Sequence, residues 1–241
     1  MTGLHTTPDF EQLRIGDLHA FYGESHILHG IDMLVRRGEL VTLLGRNGAG
    51  RTTTLRAIMN LVGRRTGSIM INGNETIGVA AHLIPRLGVG YCPEERGIFA
   101  SLNVEENLLL PPTVRSGGMD LDEIYEMFPN LYERRFSQGT RLSGGEQQML
   151  AMARILRTGA RLLLLDEITE GLAPVIVAAL GKAIRQLKER GYTIVLVEQN
   201  FRFAAPLADR HYVLEHGQVV LTIDRTELAD RTDTLHELLG V

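Results

Sequence analysis

Three short tracts hold the side chains whose types and spacing could do chemistry. The first is Gly45-Arg46-Asn47-Gly48-Ala49-Gly50-Arg51-Thr52-Thr53, led in by the apolar run Leu40-Val41-Thr42-Leu43-Leu44. A buried strand, a glycine-rich turn and a helix predicted over residues 52–61 would aim successive backbone N–H groups at one anion. Gly45, Gly48 and Gly50 tolerate positive φ and leave room for a phosphate. The pattern for such a loop is G-x-x-x-x-G-K-[ST]; Arg51 takes the lysine position, and Thr52 keeps the hydroxyl that would bind Mg²⁺. The alternative is a glycine-rich turn that only packs.

The second tract is Leu142-Ser143-Gly144-Gly145-Glu146-Gln147-Gln148. Ser143 and Glu146 have capping-box spacing, which starts a helix running to about Arg157. Either the box does only that, or Ser143 and the glycines present a bare, positive helix end to an anion. The third is Leu162-Leu163-Leu164-Leu165-Asp166-Glu167. A wholly apolar strand belongs to a parallel sheet covered on both faces, and ligands sit where such strands end. Asp166 suits a Mg²⁺ partner and Glu167 suits polarising an attacking water, unless the two carboxylates merely cap a helix.

The elements that must position these tracts follow from patterning. Residues 13–20 and 27–35 read as strands joined by a turn at 21–24, so an antiparallel sheet stands beside the parallel core. Tyr22 on that turn is open to two readings, a base-stacking ring or a half-buried turn aromatic. Residues 67–72 with Gly73-Asn74 read as a hairpin-like segment, and 87–91 as a further strand. Cys92-Pro93-Glu94-Glu95-Arg96-Gly97 is a loop, and residues 98–150 look mainly helical, with segments at 104–110, 121–128 and 132–136. We expect one domain over 1–241: an α/β core from 1–92 and 151–241, interrupted by a helical subdomain at 93–150. Pro174 opens a helix that Gly191 ends. Residues 193–197 are a buried strand, 211–215 and 218–223 a hairpin around His216-Gly217, and 226–239 a closing helix.

Bulk properties narrow the classes. The chain has 241 residues, enough for a sizeable core, and its net charge of −4 leaves no basic footprint for nucleic acid. One cysteine, Cys92, excludes an internal disulfide and suits a reducing compartment. No apolar stretch nears the ~18 residues that span a bilayer, and residues 1–12 show no export signal. A cytoplasmic protein is expected. None of the eight histidines has a metal-site spacing such as HExxH.

With the phosphate loop, LSGGEQQ and LLLLDE in this order, the sequence resembles the ATP-binding-cassette (ABC) ATPases over essentially its whole length. More narrowly it is similar to the ATPase subunits of branched-chain or hydrophobic amino-acid uptake systems. Tyr22-Gly23, Cys92-Pro93-Glu94 with Arg96, Ile98-Phe99, Val104-Glu105-Glu106-Asn107-Leu108, Glu170-Gly171-Leu172-Ala173-Pro174 and Val197-Glu198-Gln199-Asn200 carry that match. Urea and amide importers have closely similar ATPases. The resemblance implies an α/β fold of the P-loop NTPase (RecA-like) type, with an antiparallel β subdomain and a helical insertion.

It also implies roles. Tyr22 would stack on adenine, and Gly45, Arg46, Asn47, Gly48, Ala49, Gly50, Arg51, Thr52 and Thr53 would hold the phosphates of ATP. Thr52, Asp166 and Glu94 would serve Mg²⁺; Glu167 would align or deprotonate water, with Gln199 on the γ-phosphate. Ser143, Gly144 and Gly145 would touch ATP bound on a second, facing ATPase subunit. Two membrane permease subunits, and indirectly a solute-binding protein, would complete the assembly at the inner face of the membrane, with no nucleic acid involved.

Four positions depart from the wider family pattern. Arg51 replaces lysine, and a planar fork is not a compact ammonium. If its donors miss the phosphate oxygens, about 1.5–3 kcal/mol is lost per charge-assisted bond, or about tenfold to a hundredfold in rate. Glu94 stands for glutamine, Gln199 for histidine and Ile168 for proline; positions 94 and 199 fit the narrower importer pattern. Arg51 keeps open a cassette that binds ATP and dimerises but scarcely hydrolyses it. A soluble cassette acting on ribosomes or DNA is the third class considered; such proteins commonly carry two cassettes or long inserts.

Overall fold

The computed structural model describes residues 11–239. The expectation of no export signal, drawn from residues 1–12, falls up to residue 10 outside the described residues. The chain begins with a long antiparallel ribbon, β1 (Glu11–Tyr22) and β2 (Ser25–Arg36), whose register slips at several bulges. Then comes β3 (Leu40–Leu44), buried at every position, and α1 (Arg51–Ile58). The helix ends before residue 61 because Met59 caps it and Asn60 turns left-handed at φ 55°.

β4 (Arg64–Ile71) and β5 (Asn74–Glu75) form the hairpin, with Asn72 and Gly73 both at positive φ as a primed turn requires. β6 (Val89–Cys92) starts later than residue 87, since Ala81–Leu87 is a 3-10 turn closed by Gly88 at φ 88°.

Four helices follow: α2 (Val104–Leu109), α3 (Leu121–Met127), α4 (Pro129–Glu133) and α5 (Gly144–Arg157). Three are started by complete capping boxes, Asn103/Glu106, Asp120/Glu123 and Ser143/Glu146. The segment expected at 132–136 is instead α4, set by Pro129 in its first turn and finished at Glu133. Residue 150, the boundary drawn from sequence, falls inside α5.

β7 (Leu162–Asp166), α6 (Pro174–Glu189), β8 (Thr193–Val197), a single helical turn α7 (Phe201–Ala204), β9 (Arg210–Glu215), β10 (Gln218–Asp224) and α8 (Thr232–Leu239) complete the chain. The closing helix is shorter than residues 226–239. Arg225–Glu227 is a separate 3-10 turn, and between Leu228 and Leu235 only Ala229 is apolar, too little to bury a helical face.

Among the described residues the strands make two sheets. One is antiparallel in the order β2-β1-β4-β5, and the other runs β10-β9-β3-β8-β7-β6. In the second, β9, β3, β8, β7 and β6 are mutually parallel and β10 is an antiparallel edge. The leucine run of β7 shows why it must be apolar throughout. Leu162 and Leu164 pack toward the antiparallel sheet, in one core with Leu13, Ile31 and Ile69. Leu163 and Leu165 pack on the other face with Met152, Leu156 and Leu180 of the helices. Ile194 and Leu196 against Val195 and Val197 repeat the division in β8. A strand buried on both faces leaves its polar residues only at its ends, so β7 delivers Asp166 and Glu167 at the carboxyl edge of the sheet.

Candidate active site

The turn between β3 and α1 is open, and its conformation requires glycine at two points. Gly45 sits at φ 150°, where a Cβ would lie 2.4 Å from the Leu214 carbonyl oxygen. Gly50 sits at φ 103° as the N-cap of α1, with no side chain capping the helix and no acid in its first turn. The first amides of α1 are left without side-chain acceptors, and the aligned helix dipole favours an anion there. A Cβ at Gly48 would meet nothing within 4 Å, so the loop faces free space.

That space is a cleft of 410 Å³. Asn47, Gly48, Ala49, Gly50, Arg51, Thr52 and Thr53 form one wall, Glu94, Glu167, Glu170 and Gln199 the other, and Ile27 adds an apolar patch. The turn thus meets the carboxyl ends of β6, β7 and β8, which adjacent parallel strands bring to one edge.

Asp166 is fully buried. Its Oδ1 accepts from Thr52 Oγ1 at 3.0 Å and its Oδ2 from the Tyr91 hydroxyl at 3.0 Å. Burial pushes its pKa up, and the two hydroxyl donors pull against that rise. Glu167 has the left-handed φ of 46°, which turns its carboxylate from the strand axis into the cleft. It accepts from Arg51 Nη2 at 2.8 Å and from Gln199 Nε2 at 3.0 Å. Burial raises its pKa, with Arg51 the main opposing influence. Glu94 is likewise raised, by desolvation and then by the neighbouring Glu170, Glu95 and Asp166 charges. Carboxylate oxygens of Glu94, Glu167 and Glu170 lie within 4.8 Å of one another.

Arg51 is only 5% exposed, and its guanidinium is taken up by acceptors of the protein itself. Besides Glu167 it donates to the Glu198 carbonyl at 3.1 Å and to Asn47 Oδ1 at 3.2 Å.

The donor set fits Mg²⁺: a hydroxyl and a carboxylate 3.0 Å apart at the helix start, with a further carboxylate across the cleft, are hard oxygen ligands. The amide-lined turn fits a polyphosphate.

Other residues singled out in the sequence lie elsewhere. Arg46 is exposed and lines a neighbouring depression with His216 and Leu238. Tyr22 ends β1, 38% exposed, and does not line the cleft; it lies beside Arg56, whose pKa is raised chiefly by Tyr91 and to a lesser degree by Tyr22. Ser143 caps α5, its Oγ accepting from Glu146 N at 3.3 Å while Glu146 Oε2 accepts from Ser143 N at 2.7 Å. Ser143, Gly144 and Gly145 line no part of the cleft. Gly144 instead passes Arg96, whose Nη2 would be 3.2 Å from a Cβ there.

Sequence reasoning missed Tyr91, Glu170, Ile27 and the Arg51–Glu167 pairing. Glu170 had a signal, a second carboxylate three residues after Glu167. Tyr91 had none without knowing that β6 neighbours β7.

A parallel sheet whose edge gathers an amide-lined turn, a hydroxyl and buried carboxylates defines a P-loop nucleotide hydrolase. The chain belongs to the ABC transporter family, whose sequence pattern matches residues 28–170, and it is an ATP-binding cassette with ATPase chemistry. Over 212 residues it is 41% identical to the high-affinity branched-chain amino acid transport ATP-binding protein BraG of Pseudomonas aeruginosa, covering 87% of this chain and 91% of that protein. Over 222 residues it is 35% identical to the probable branched-chain amino acid transport ATP-binding protein LivF of Archaeoglobus fulgidus, covering 90% and 94%. A solved structure of an ATP binding subunit of an ABC transporter superposes with a TM-score of 0.79 at 26% identity, over 95% of this chain and all of that one. Among the described residues no helix is long and apolar enough to cross a membrane.

Proposed function

We propose that this cassette hydrolyses ATP to power uptake of branched-chain or other hydrophobic amino acids through membrane permease subunits. The observation that supports the solute class is the 41% identity to BraG across most of both chains. The amides of residues 45–53 hold the phosphate tail, and Tyr22 lies against adenine. Mg²⁺, held by Thr52, Asp166 and Glu94, would neutralise charge on the phosphates. Glu167 takes the proton of the attacking water, and Gln199, already bonded to that carboxylate, donates to a γ-phosphate oxygen.

Ser143, Gly144 and Gly145 complete the site of a second, facing cassette. They do not line this chain's own cleft, and Ser143, the exposed residue of the three, is open to a nucleotide held on another subunit, which supports that role. ATP then binds two subunits together, and its hydrolysis lets them part.

Residues 93–150, the helical subdomain, carry the closure to the permeases. A groove of 570 Å³ supports this, lined by Leu61, Tyr91, Pro93, Gly97, Pro111 and Ile155 among others. Phe99, Leu109 and Leu110 near it are about half exposed, apolar surface that a partner would cover. The assembly sits on the cytoplasmic face of the membrane, and a separate solute-binding protein delivers the amino acid.

One observation favours a second reading, a cassette that binds ATP but turns it over slowly: Arg51 is committed to Glu167, Glu198 and Asn47. Co-purification with the permeases, followed by ATP-driven uptake of labelled leucine into vesicles, tests the proposal. Leucine uptake that requires ATP is the expected result. Urea or amide uptake in its place would move the substrate class, and no ATP-dependent uptake would favour the second reading.

A further inference from the structure

The outer face of the β1–β2 ribbon holds three histidines that ATP chemistry does not use. His19 lies opposite His29 in register, and His26 opposite Phe21. Residues 26 and 29 share this face because a register shift between Ala20 and Phe21 absorbs the odd residue between them. The His26 ring centroid is 4.0 Å from that of His29 and 5.1 Å from that of His19, and the ring stacks on Phe21 at 4.2 Å. His26 and His29 are exposed and His19 is half-buried.

Two nitrogens converge. His19 Nδ1 and His26 Nε2 are 3.0 Å apart, and the other nitrogen of His19, Nε2, is 3.1 Å from Asp17 Oδ1. An ionised carboxylate only accepts, so His19 carries its proton on Nε2 and turns the Nδ1 lone pair toward His26. Asp17 is built to do this. A left-handed φ of 46° at the bulge swings it over, Asp32 Oδ1 accepts from its backbone N at 3.1 Å, and Gly30 opposite leaves the space. A Cβ at Gly30 would come within 3.1 Å of Asp17 Oδ1. A carboxylate accepting from the outer nitrogen of an imidazole is the arrangement that orients metal-ligating histidines.

The charges facing the pair are two carboxylates, Asp17 and Asp32, against one guanidinium, Arg64, stacked 3.9 Å from the Phe21 ring centre. With the His19 Nδ1 lone pair accepting, the proton of this 3.0 Å contact sits on His26 Nε2, and an ion entering there displaces it to solvent or to His26 Nδ1. Two Zn–N bonds of about 2.0–2.1 Å at a tetrahedral angle separate their nitrogens by about 3.3 Å, a few tenths of an ångström more than the pair now shows.

We propose that His19 Nδ1 and His26 Nε2 bind one borderline divalent transition-metal ion such as Zn²⁺, with water or a reoriented His29 completing its shell. Imidazole selects Zn²⁺, Cu²⁺ or Ni²⁺ over Mg²⁺, which sets this site apart from the oxygen-lined cleft. The ion staples the two strands close to Tyr22 at the end of β1.

The test is a titration of the full chain with ZnCl₂, read by ¹⁵N imidazole NMR. At one equivalent, His19 Nδ1 and His26 Nε2 shift together while His19 Nε2 keeps its proton; Mg²⁺ moves neither. Asp17→Asn weakens binding about tenfold to a hundredfold, His26→Ala removes it, and His82→Ala, on an exposed and separate histidine, leaves it unchanged. All are surface changes that leave the core intact. Zinc shifts confined to other histidines, an Asp17→Asn variant with unaltered affinity, or a pair that only shares a proton and ignores zinc would each overturn the site.

Discussion

At the scale of single residues, the pairing of Arg51 with Glu167 governs the account. These side chains are 4% and 9% exposed and 2.8 Å apart. Any nucleotide that recruits Arg51 must draw it from three acceptors, and a planar fork gives up its geometry less readily than an ammonium. We therefore expect Arg51→Lys to leave ATP hydrolysis intact or raise it, by up to about tenfold to a hundredfold if a charge-assisted bond to phosphate is gained. Steady-state phosphate release measures this, and a large drop would mean the loop has been rebuilt around arginine. The type and position of Arg51 were legible in the sequence. Its partner was not, because Glu167 is 116 residues away and only the β3-β8-β7 order brings the two together.

Among the elements, α5 separates a structural from a chemical contribution. Ser143 caps it through a complete box with Glu146. Ser143→Ala should cost about 1 kcal/mol as a lost cap, near 2–4 °C in Tm for a chain this size. If Ser143 also serves the facing nucleotide, turnover should fall far more, about a hundredfold, as when one donor to a developing charge is removed. Thermal melts and phosphate release on the same preparation check both numbers; a rate loss no larger than the melt explains would confine Ser143 to capping. The elements read well from sequence wherever the cause is local. The Ser143/Glu146 box, the Pro174 start and the β7 leucines each act within a few residues. The 3-10 turn before β6, the turn α7 and the late start of α8 escaped, since they are set by packing and by breaks in apolar spacing.

For the whole molecule, two buried groups pull stability in opposite directions with pH. His211 is fully buried, among the described residues hydrogen-bonds only through Nδ1 to Thr42 Oγ1 at 2.6 Å, and is pushed down to about 4 by desolvation. Between about pH 6.5 and 4 the unfolded chain binds the extra proton, so stability is lost as pH falls through that window, by an amount on the order of 3 kcal/mol. Glu198, bonded to Thr169 and raised to about 7, acts the other way: its neutral form is favoured in the fold, and stability falls as pH rises toward 7. The wild-type profile should be shallow between pH 4 and 7, whereas His211→Gln should gain relative stability as pH drops. Urea melts at pH 7, 5.5 and 4.5 read this, and an unchanged difference between the two proteins across that range would contradict it. The two-sheet architecture also explains why so much of the cleft could be anticipated: the phosphate loop after β3 and the carboxyl ends of β6, β7 and β8 meet at one edge of one sheet, whereas LSGGEQQ starts α5 outside the cleft. The most direct measurement is phosphate release from Mg-ATP by the purified protein, beside Glu167→Gln, with nucleotide binding followed in both. Wild type should bind and release phosphate, and the variant should bind without release. A variant that hydrolyses at the wild-type rate, or a wild type that binds ATP and releases nothing, would contradict the assignment of this cleft and its carboxylate.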